Sequence, residues 1–251
     1  MPKIVVHEKA LAHLSRGLYR SPASALRELV SNAWDAHATT VRIDTNYPNF
    51  FQLSVEDNGI GFTKDQFKSL MAGGIGNSEK RIVQTEIFKG RPLIGRLGIG
   101  MLGIAQVCGG FTIVSKPATG EGFRAKVRLY DLIQEKLDRD DVEVIHDEAD
   151  ILHKEVDVGE FEFLPYNPKE HTQGTLILAD DIHPSFTRSF KESLAFETFV
   201  QPPLNWEKCL EIVGGVHSLQ ELGEYWRLIW ELAASCPIPY VSSKAVPNKM
   251  I

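Results

Sequence analysis

A chain of 251 residues with 43% hydrophobic residues is long enough to bury a substantial core, as one large domain or as one domain with a helical appendage. The 27 basic and 33 acidic residues give a net charge of -6, which argues against a broad nucleic-acid-binding surface but not against a local patch. The three cysteines are widely spaced and do not have metal-ligand spacing. The sequence also lacks a signal-peptide core and any run of about 18 apolar residues. These features predict a soluble, cytoplasmic protein without membrane contact.

The first elements are predicted to be two helices. Spaced apolar residues predict a short helix over residues 7–19. Ser21 at the N-cap and Pro22 at the first helical position then mark the start of a second helix, which should reach about Ala38.

A hairpin and a third helix should follow. The segments "TTVRIDTN" and "FQLSVED" alternate with period two around a "YPN" turn, which predicts paired antiparallel strands. Thr63 and Gln66 have the spacing of a capping box and predict a helix that ends near Met71.

The remainder of the chain begins with an unusual segment, residues 72–100, which contains seven glycines between charged residues. A loop of this length in a compact domain is typically functional or disordered, and we expect a mobile one. "GMLGIAQVCG" should be helical, and "FTIVSK", "FRAKVRLYD" and "GTLILAD" should be strands. The acid-rich residues 135–162 are expected to form a surface hairpin or insertion.

The C-terminal third is predicted to be mainly helical, most clearly in "SLQELGEYWRLIWELAAS". Its large aromatic residues, Tyr225, Trp226 and Trp230, are interpreted as packing against the sheet in preference to a partner-binding face. Hairpin-connected strands with helices gathered apart from them predict an α+β sandwich, with helices on one face of a mixed, mainly antiparallel sheet.

One stripe of polar residues runs along the second helix. At 100° per residue, Glu28, Asn32 and Asp35 lie within about 60° of one another, and apolar residues cover much of the remaining surface. A solvated face is the simpler interpretation, but such a face more often carries Lys, Glu or Gln. Because Asn, Asp and the neighbouring Ser31 are poor residues for the middle of a helix, the stripe favours the floor of a polar pocket.

Two glycine-rich motifs follow this helix in the sequence. In "DNGIG", Asp57 ends a strand and can accept hydrogen bonds from an amino group, while Gly59 and Gly61 allow close approach and positive φ; a simple turn is the alternative. In "IGRLGIGMLGIAQVCGG", glycines lead into a helix start, where free N–H groups favour a phosphate. No strand precedes that motif, which argues against a dinucleotide-binding fold, and the P-loop pattern is absent.

Taken together, four motifs resemble the N, G1, G2 and G3 boxes of the GHKL ATPases, which include gyrase, the large heat-shock chaperone, histidine kinases and MutL. They are "ELVSNAWDA" (28–36), "DNGIG" (57–61), "GRLGIG" (95–100) and "GT" (174–175). The chaperone, MutL and MORC side of the family is the most similar. The resemblance implies a Bergerat-type two-layer fold that binds ATP and Mg²⁺. It also implies a nucleotide-binding set: Asn32, Asp35, Ala36, Asp57, Gly59, Gly61, Lys80, Gly95, Gly98, Ile99, Gly100, Met101 and Thr175.

By this resemblance, Glu28 is expected to be the catalytic base that activates water, and Asn32 the protein ligand of Mg²⁺. Asp57 is expected to accept the adenine amino group, with Thr175 sharing a bridging water. Asp35 should line the base or sugar region.

The glycines have expected roles as well. Gly59 and Gly61 should let the nucleotide approach, and the amides of Gly98 and Gly100 should hold the β- and γ-phosphates. Lys80 is a candidate phosphate contact from a lid at about residues 72–97.

The resemblance further implies an ATP-binding domain over residues 1–183, followed by a helical extension and the start of a linker over 184–251. We expect slow ATP hydrolysis by an isolated domain of a larger ATP-gated clamp, with a homodimer formed on ATP binding. A DNA-linked role of the MORC or MutL type is preferred, with DNA or a protein client held by further domains. A chaperone-type client clamp and a nucleotide-sensing regulatory module with little turnover remain alternatives. A histidine kinase is disfavoured because no phosphoacceptor helix pair precedes the ATP-binding motifs.

Overall fold

The computed structural model describes residues 1–7, 22–75, 100–130, 155–169, 171–179, 181–195 and 223–235. In chain order the elements are β1 (Lys3–His7), α1 (Pro22–Asp35), β2 (Val41–Asp44), β3 (Leu53–Asp57), α2 (Lys64–Met71), β4 (Ala72–Ile75), a 3₁₀ helix (Gly100–Gln106), β5 (Gly110–Lys116), β6 (Phe123–Leu129), β7 (Glu155–Leu164), β8 (Gly174–Ala179), α3 (Pro184–Ala195) and α4 (Glu224–Ser235).

The strands form one eight-stranded sheet in the order β2-β3-β8-β5-β6-β7-β1-β4. Neighbouring strands are antiparallel except β1 and β4, which run parallel. The predicted α+β architecture with a mixed, mainly antiparallel sheet is therefore confirmed, as is the hairpin of β2 and β3.

Alternation along the strands determines which face of the sheet is buried. In β6, Phe123, Ala125 and Val127 are buried, while the basic residues between them are partly or fully exposed. The same pattern places Leu53, Val55 and Asp57 of β3 on one face, because successive side chains of a strand point to opposite sides. Asp57 therefore lies at the end of the core-facing row.

Helix α1 contacts β3, the 3₁₀ helix and α4. None of its residues is fully exposed, as expected for a helix buried nearly all round. It ends at Asp35, three residues before the predicted end. His37 adopts φ 59°, and the Ala38 N–H donates to the Ala33 carbonyl at 2.9 Å, so a left-handed residue closes the helix.

The capping box of α2 is confirmed. The Thr63 hydroxyl accepts from the Gln66 N–H at 3.2 Å, and the Gln66 side chain accepts from the Thr63 N–H at 2.8 Å. Helix α2 ends at Met71, where the sequence placed it, and buries Phe67 and Met71.

The two C-terminal helices share the core of the sheet domain. Tyr225 of α4 packs against Tyr47 and Phe50, which lie in the β2–β3 connection, and against Phe190 of α3. Trp226 is only 2% exposed. Tyr225 therefore packs on α3 and on the hairpin connection, and not directly on a strand as predicted.

Two strands lie where other structures were expected. Strand β7 occupies part of the acid-rich segment 135–162, so the expectation of a surface hairpin or insertion is wrong for residues 155–162. Val158 and Phe161 of β7 are buried, while Glu160 and Glu162 oppose Arg128 and Lys126 of β6. The acidic residues lie on the outer face, opposite basic residues of β6. Because of them the segment looks like a surface insertion in the sequence, although it forms a strand inside the sheet.

Strand β4, in turn, lies at the start of the predicted glycine-rich loop and pairs with β1, a strand the sequence analysis did not predict. The helix predicted after the glycine-rich segment is a 3₁₀ helix. The helix predicted over 7–19, apart from His7 in β1, lies outside the described residues, as do residues 76–97 of the expected lid. In the parts of the chain described here, no helix is long and apolar enough to cross a membrane.

Candidate functional site

The polar stripe of α1 is partly shielded from solvent. Glu28, Asn32 and Asp35 are each partly buried, whereas the alanines, leucines and valine of the helix are buried. Burial raises the pKa of the Glu28 carboxyl; the guanidinium of Arg27, 3.9 Å away, lowers it in part, and the charge of Asp35 raises it further. Two carboxylates that interact along the helix thus share a face, as the helical period predicted.

Ser31 does not belong to the stripe. It is 5% exposed, and its hydroxyl donates to the Arg27 carbonyl at 3.0 Å. This bond to the preceding turn explains how a poor helix former is accommodated in the middle of α1.

Asp57 lies where β3 ends, directly opposite Thr175 of β8. Its Oδ1 accepts the Gly59 N–H at 2.8 Å. Burial raises the pKa of Asp57, although the backbone N–H groups of Gly59 and Thr175 and the charge of His171 lower it. The net effect is a carboxylate that has lost part of its hydration and has gained only part of the hydrogen bonding that would replace it.

The glycines of the "DNGIG" turn are required by the protein's own packing. A Cβ on Gly59 would lie 2.6 Å from the Ala36 carbonyl oxygen, and one on Gly61, at φ +62°, would lie 2.6 Å from the Lys116 carbonyl oxygen. The Ile60 N–H donates to the Ala36 carbonyl at 2.8 Å. The positive φ expected at this turn is thus confirmed for Gly61, and the turn closes tightly on the end of α1.

Gly174 has the same kind of role at the start of β8. With φ +128°, its Cβ would lie 1.9 Å from the Asp57 carbonyl oxygen. Only glycine fits there, because the backbone of β8 approaches the end of β3 too closely for a side chain. This contact brings Thr175 beside Asp57.

Sequence reasoning missed several residues that hold the turn in place. The Asn58 carboxamide oxygen accepts the N–H groups of Thr39 and Thr40 at 2.8 and 2.9 Å, and its amide donates to the Thr39 hydroxyl. The Gln173 amide donates to the Gly59 carbonyl at 3.1 Å. The position of Asn58 inside "DNGIG" was a usable signal, since Asn side chains commonly bond nearby backbone in turns.

The structure brings together most of the predicted site residues that it describes. The end of α1 with Ala36, the turn from Asp57 to Gly61, and Thr175 form one contiguous group. Gly100 and Met101 begin the 3₁₀ helix, which packs against α1. The other predicted residues lie outside the described residues: Lys80, Gly95, Gly98 and Ile99.

The donor atoms of this group fit a nucleotide that carries Mg²⁺. Asn32 offers an amide oxygen, a hard ligand of the kind that Mg²⁺ prefers; this ion usually takes one or two protein ligands and completes its shell with phosphate and water. Within the described ranges, no group of three or more His, Cys, Asp or Glu side chains is placed to hold a metal ion by itself. Asp57 offers acceptor oxygens in a partly dehydrated position, which suits an exocyclic amine.

Comparison with known proteins gives one family. Residues 19–158, somewhat more than half of the chain, match the model described as histidine kinase-, DNA gyrase B-, and HSP90-like ATPase. Relatives include a putative type II restriction enzyme, HgiDII of Herpetosiphon aurantiacus, 38% identical over 94 residues, which are 38% of this chain and 15% of the relative.

Two mismatch repair proteins are similar to this chain over segments of comparable length. MutL of Pasteurella multocida is 32% identical over 98 residues, or 39% of this chain and 15% of that protein. MutL of Anoxybacillus flavithermus is 32% identical over 124 residues, or 49% of this chain and 19% of that protein. The aligned part therefore spans less than a fifth of the length of each of these relatives.

Proposed function

The chain belongs to the histidine kinase-, DNA gyrase B-, and HSP90-like ATPase family, and we propose that it is the ATP-binding, slowly hydrolysing part of a larger ATP-gated clamp with a DNA-linked role. The observation that carries this proposal is the partly dehydrated carboxylate of Asp57, held beside Thr175 at the closed end of α1. The names of the relatives, mismatch repair proteins and a restriction enzyme, support the DNA-linked part.

Asp57 recognises the base in this proposal. One of its oxygens is already engaged by the Gly59 N–H, which fixes the orientation of the carboxylate. The adenine amino group donates to this carboxylate, and Thr175 shares a bridging water with the ring. Asp35 and Ala36 border the base and sugar from the end of α1.

Glu28 is the proposed catalytic base. It lies on the same helix face as Asn32, one helical turn away. Asn32 would hold Mg²⁺, and Glu28 would hold and activate the attacking water. When bound, Mg²⁺ neutralises phosphate charge. The raised pKa of Glu28 favours proton acceptance, because it brings the carboxylate closer to the pH at which the enzyme works.

The remaining predicted residues complete the phosphate side. The backbone amides of Gly98, Ile99, Gly100 and Met101 hold the β- and γ-phosphates in this proposal, with Gly95 as a hinge. Lys80 contacts phosphate from the lid at about residues 72–97. The 3₁₀ helix that starts at Gly100 packs on α1, the helix that carries Glu28 and Asn32, which supports a phosphate site on the α1 side.

We further propose that residues 1–183 are the nucleotide-binding unit and that residues 184–251 are a helical extension leading to a linker. In this proposal, closure of the lid over Mg-ATP drives dimerisation. Regions of the full protein beyond this chain hold DNA or a protein client.

Sedimentation velocity tests the clamp. The chain is run without nucleotide, with Mg-ADP and with Mg-AMPPNP, and Glu28→Gln is run with Mg-ATP. We expect a dimer with AMPPNP and with the variant under ATP, and a monomer otherwise. Turnover by this chain should stay far below the roughly 10 s⁻¹ typical of enzymes. In the full-length protein, whose further regions hold the DNA in this proposal, turnover should rise with duplex DNA. A monomer under every condition contradicts the clamp, and stimulation by an unfolded protein in place of DNA favours the chaperone-type alternative.

A further inference from the structure

The hydroxyl of Ser115, in β5, is a junction beneath the candidate base site. Ser115 is completely buried. Its Oγ accepts the Phe62 N–H at 3.0 Å, lies 3.2 Å from the Gly174 carbonyl oxygen, and lies 3.1 Å from the Thr175 hydroxyl. The three contacts join the end of the "DNGIG" turn, the start of β8 and the residue opposite Asp57.

Counting protons fixes the direction of each bond. A serine hydroxyl has one proton and two lone pairs. The Phe62 N–H can only donate, so it uses one lone pair of Ser115. The Gly174 carbonyl can only accept, so it takes the single Ser115 proton. The remaining lone pair of Ser115 must then accept the proton of Thr175.

This direction determines what Thr175 offers to a ligand. With its proton committed to Ser115, the Thr175 oxygen retains both lone pairs and no free donor. Its neighbour across the strand pair, Asp57, is an acceptor as well when ionised. The wall of the site formed by these two residues would therefore accept hydrogen bonds but donate none from its side chains.

We propose that Ser115 is a positioning residue that determines base specificity, because it holds the Thr175 proton away from the base site. This inference rests on the proposed function, since it assumes that a purine sits against Asp57 and Thr175. An acceptor-only wall favours a base with an amino group, as in ATP, over a base with a carbonyl group at the same position, as in ITP.

The proton placement can be tested without any nucleotide. In the ligand-free protein, proton NMR should show a slowly exchanging Thr175 hydroxyl proton with a cross-peak to the Ser115 β-protons. Ser115→Ala should abolish that protected signal. A Thr175 hydroxyl that exchanges as fast in the wild type as in the variant would overturn the proposal.

The consequence for specificity is tested with ATP and ITP. In Ser115→Ala, the Thr175 proton becomes free to turn toward the base, and the preference for ATP over ITP should fall by about threefold to tenfold, roughly one hydrogen bond. Thr112→Ala is the matched control: Thr112 is a buried hydroxyl residue of the same strand on its opposite face, and its loss should leave the preference unchanged.

Thr175→Val separates specificity from damage to the fold, because it leaves the contacts of Ser115 with Phe62 and Gly174 in place. Adding Ser115→Ala to Thr175→Val should not change the preference further, since the hydroxyl that Ser115 orients is already gone. Equal weakening of both nucleotides by Ser115→Ala, with the ratio unmoved, would show a purely structural role and refute the inference. If the folded wild type binds neither nucleotide, the proposed function is wrong. The position of the Thr175 proton is then tested by the NMR experiment alone.

Discussion

Asp57→Asn separates the binding role of this carboxylate from its effect on stability. The oxygen of the introduced amide would continue to accept the Gly59 N–H, which lies 2.8 Å from Asp57 Oδ1, so the new NH₂ group takes the position of the other carboxylate oxygen. A donor would then face the amino group of adenine. Hydrogen bonds to charged groups contribute about 1.5–3 kcal/mol, so ATP affinity should fall about ten- to hundredfold.

The stability of the ligand-free protein should move in the opposite direction. Burial raises the pKa of Asp57 in spite of two backbone donors, so the folded state favours the uncharged carboxyl. A carboxyl with a raised folded-state pKa reduces the unfolding free energy as pH rises from its ordinary value through the raised one, and the loss persists at neutral pH. Asp57→Asn should therefore raise the unfolding free energy at pH 7, and the gain should disappear in acid.

Asp44→Asn is the matched control. The Asp44 carboxylate also accepts the N–H two residues ahead, from Asn46 at 2.8 Å, but Asp44 is exposed. Competition binding with a fluorescent ATP analogue and urea unfolding at pH 7 and pH 4 measure both effects. Unchanged ATP affinity in Asp57→Asn, or a loss of stability larger than that of Asp44→Asn, would refute the reasoning.

Three further predictions concern other parts of the molecule. Thr63→Ala removes one bond of the capping box and should lower the unfolding free energy by about 1 kcal/mol in urea denaturation; no change would show that the cap is not needed. Gly174→Ala places a Cβ 1.9 Å from the Asp57 carbonyl oxygen and should give little folded protein by circular dichroism, and a native melting curve would contradict the close contact. Because burial raises the pKa of Glu28, single-turnover ATP hydrolysis should increase with pH through a midpoint above that of ordinary glutamate; a midpoint at or below that value would argue against this base.

The helical part of the site could be predicted because its signal is periodic. The stripe of Glu28, Asn32 and Asp35 follows directly from 3.6 residues per turn, and the α1 burial pattern agrees with it. Asp57 could be placed at a strand end from the alternation of "FQLSVED". These predictions needed only local geometry.

The glycines illustrate a different limit. Their presence predicted close approach, but the approaching groups are the Ala36 and Lys116 carbonyl oxygens and, at Gly174, the Asp57 backbone. A sequence shows that a Cβ is absent without showing which neighbour requires its absence. That information depends on the packing of segments far apart in the chain.

Strands β4 and β7 could not be predicted for physical reasons specific to each. The β4 sequence "AGGI" has hardly any side-chain pattern because two of its four residues are glycines; it is a strand through its backbone pairing with β1. In β7, Glu160 and Glu162 gave the segment an acidic composition, whereas its burial depends on Phe161 and Val158. Composition averages the exposed and buried residues of a strand and so loses this distinction.

The hydrogen bonds of Ser115 could not be predicted from the sequence either, because they join residues 62, 115 and 174–175 through hydroxyl and backbone groups. "FTIVSK" predicted a strand but gave no reason for a serine on its buried face. Only the sheet register, which sets Ser115 opposite Thr175, explains it.

The most direct test of the central claim, that this chain binds Mg-ATP at the site built on α1 and Asp57, is isothermal titration calorimetry of the wild-type chain with AMPPNP, with and without Mg²⁺. We predict one nucleotide per chain, with affinity that weakens when Mg²⁺ is removed. A folded wild type that shows no binding heat and no shift of its melting temperature with Mg-AMPPNP would contradict the claim.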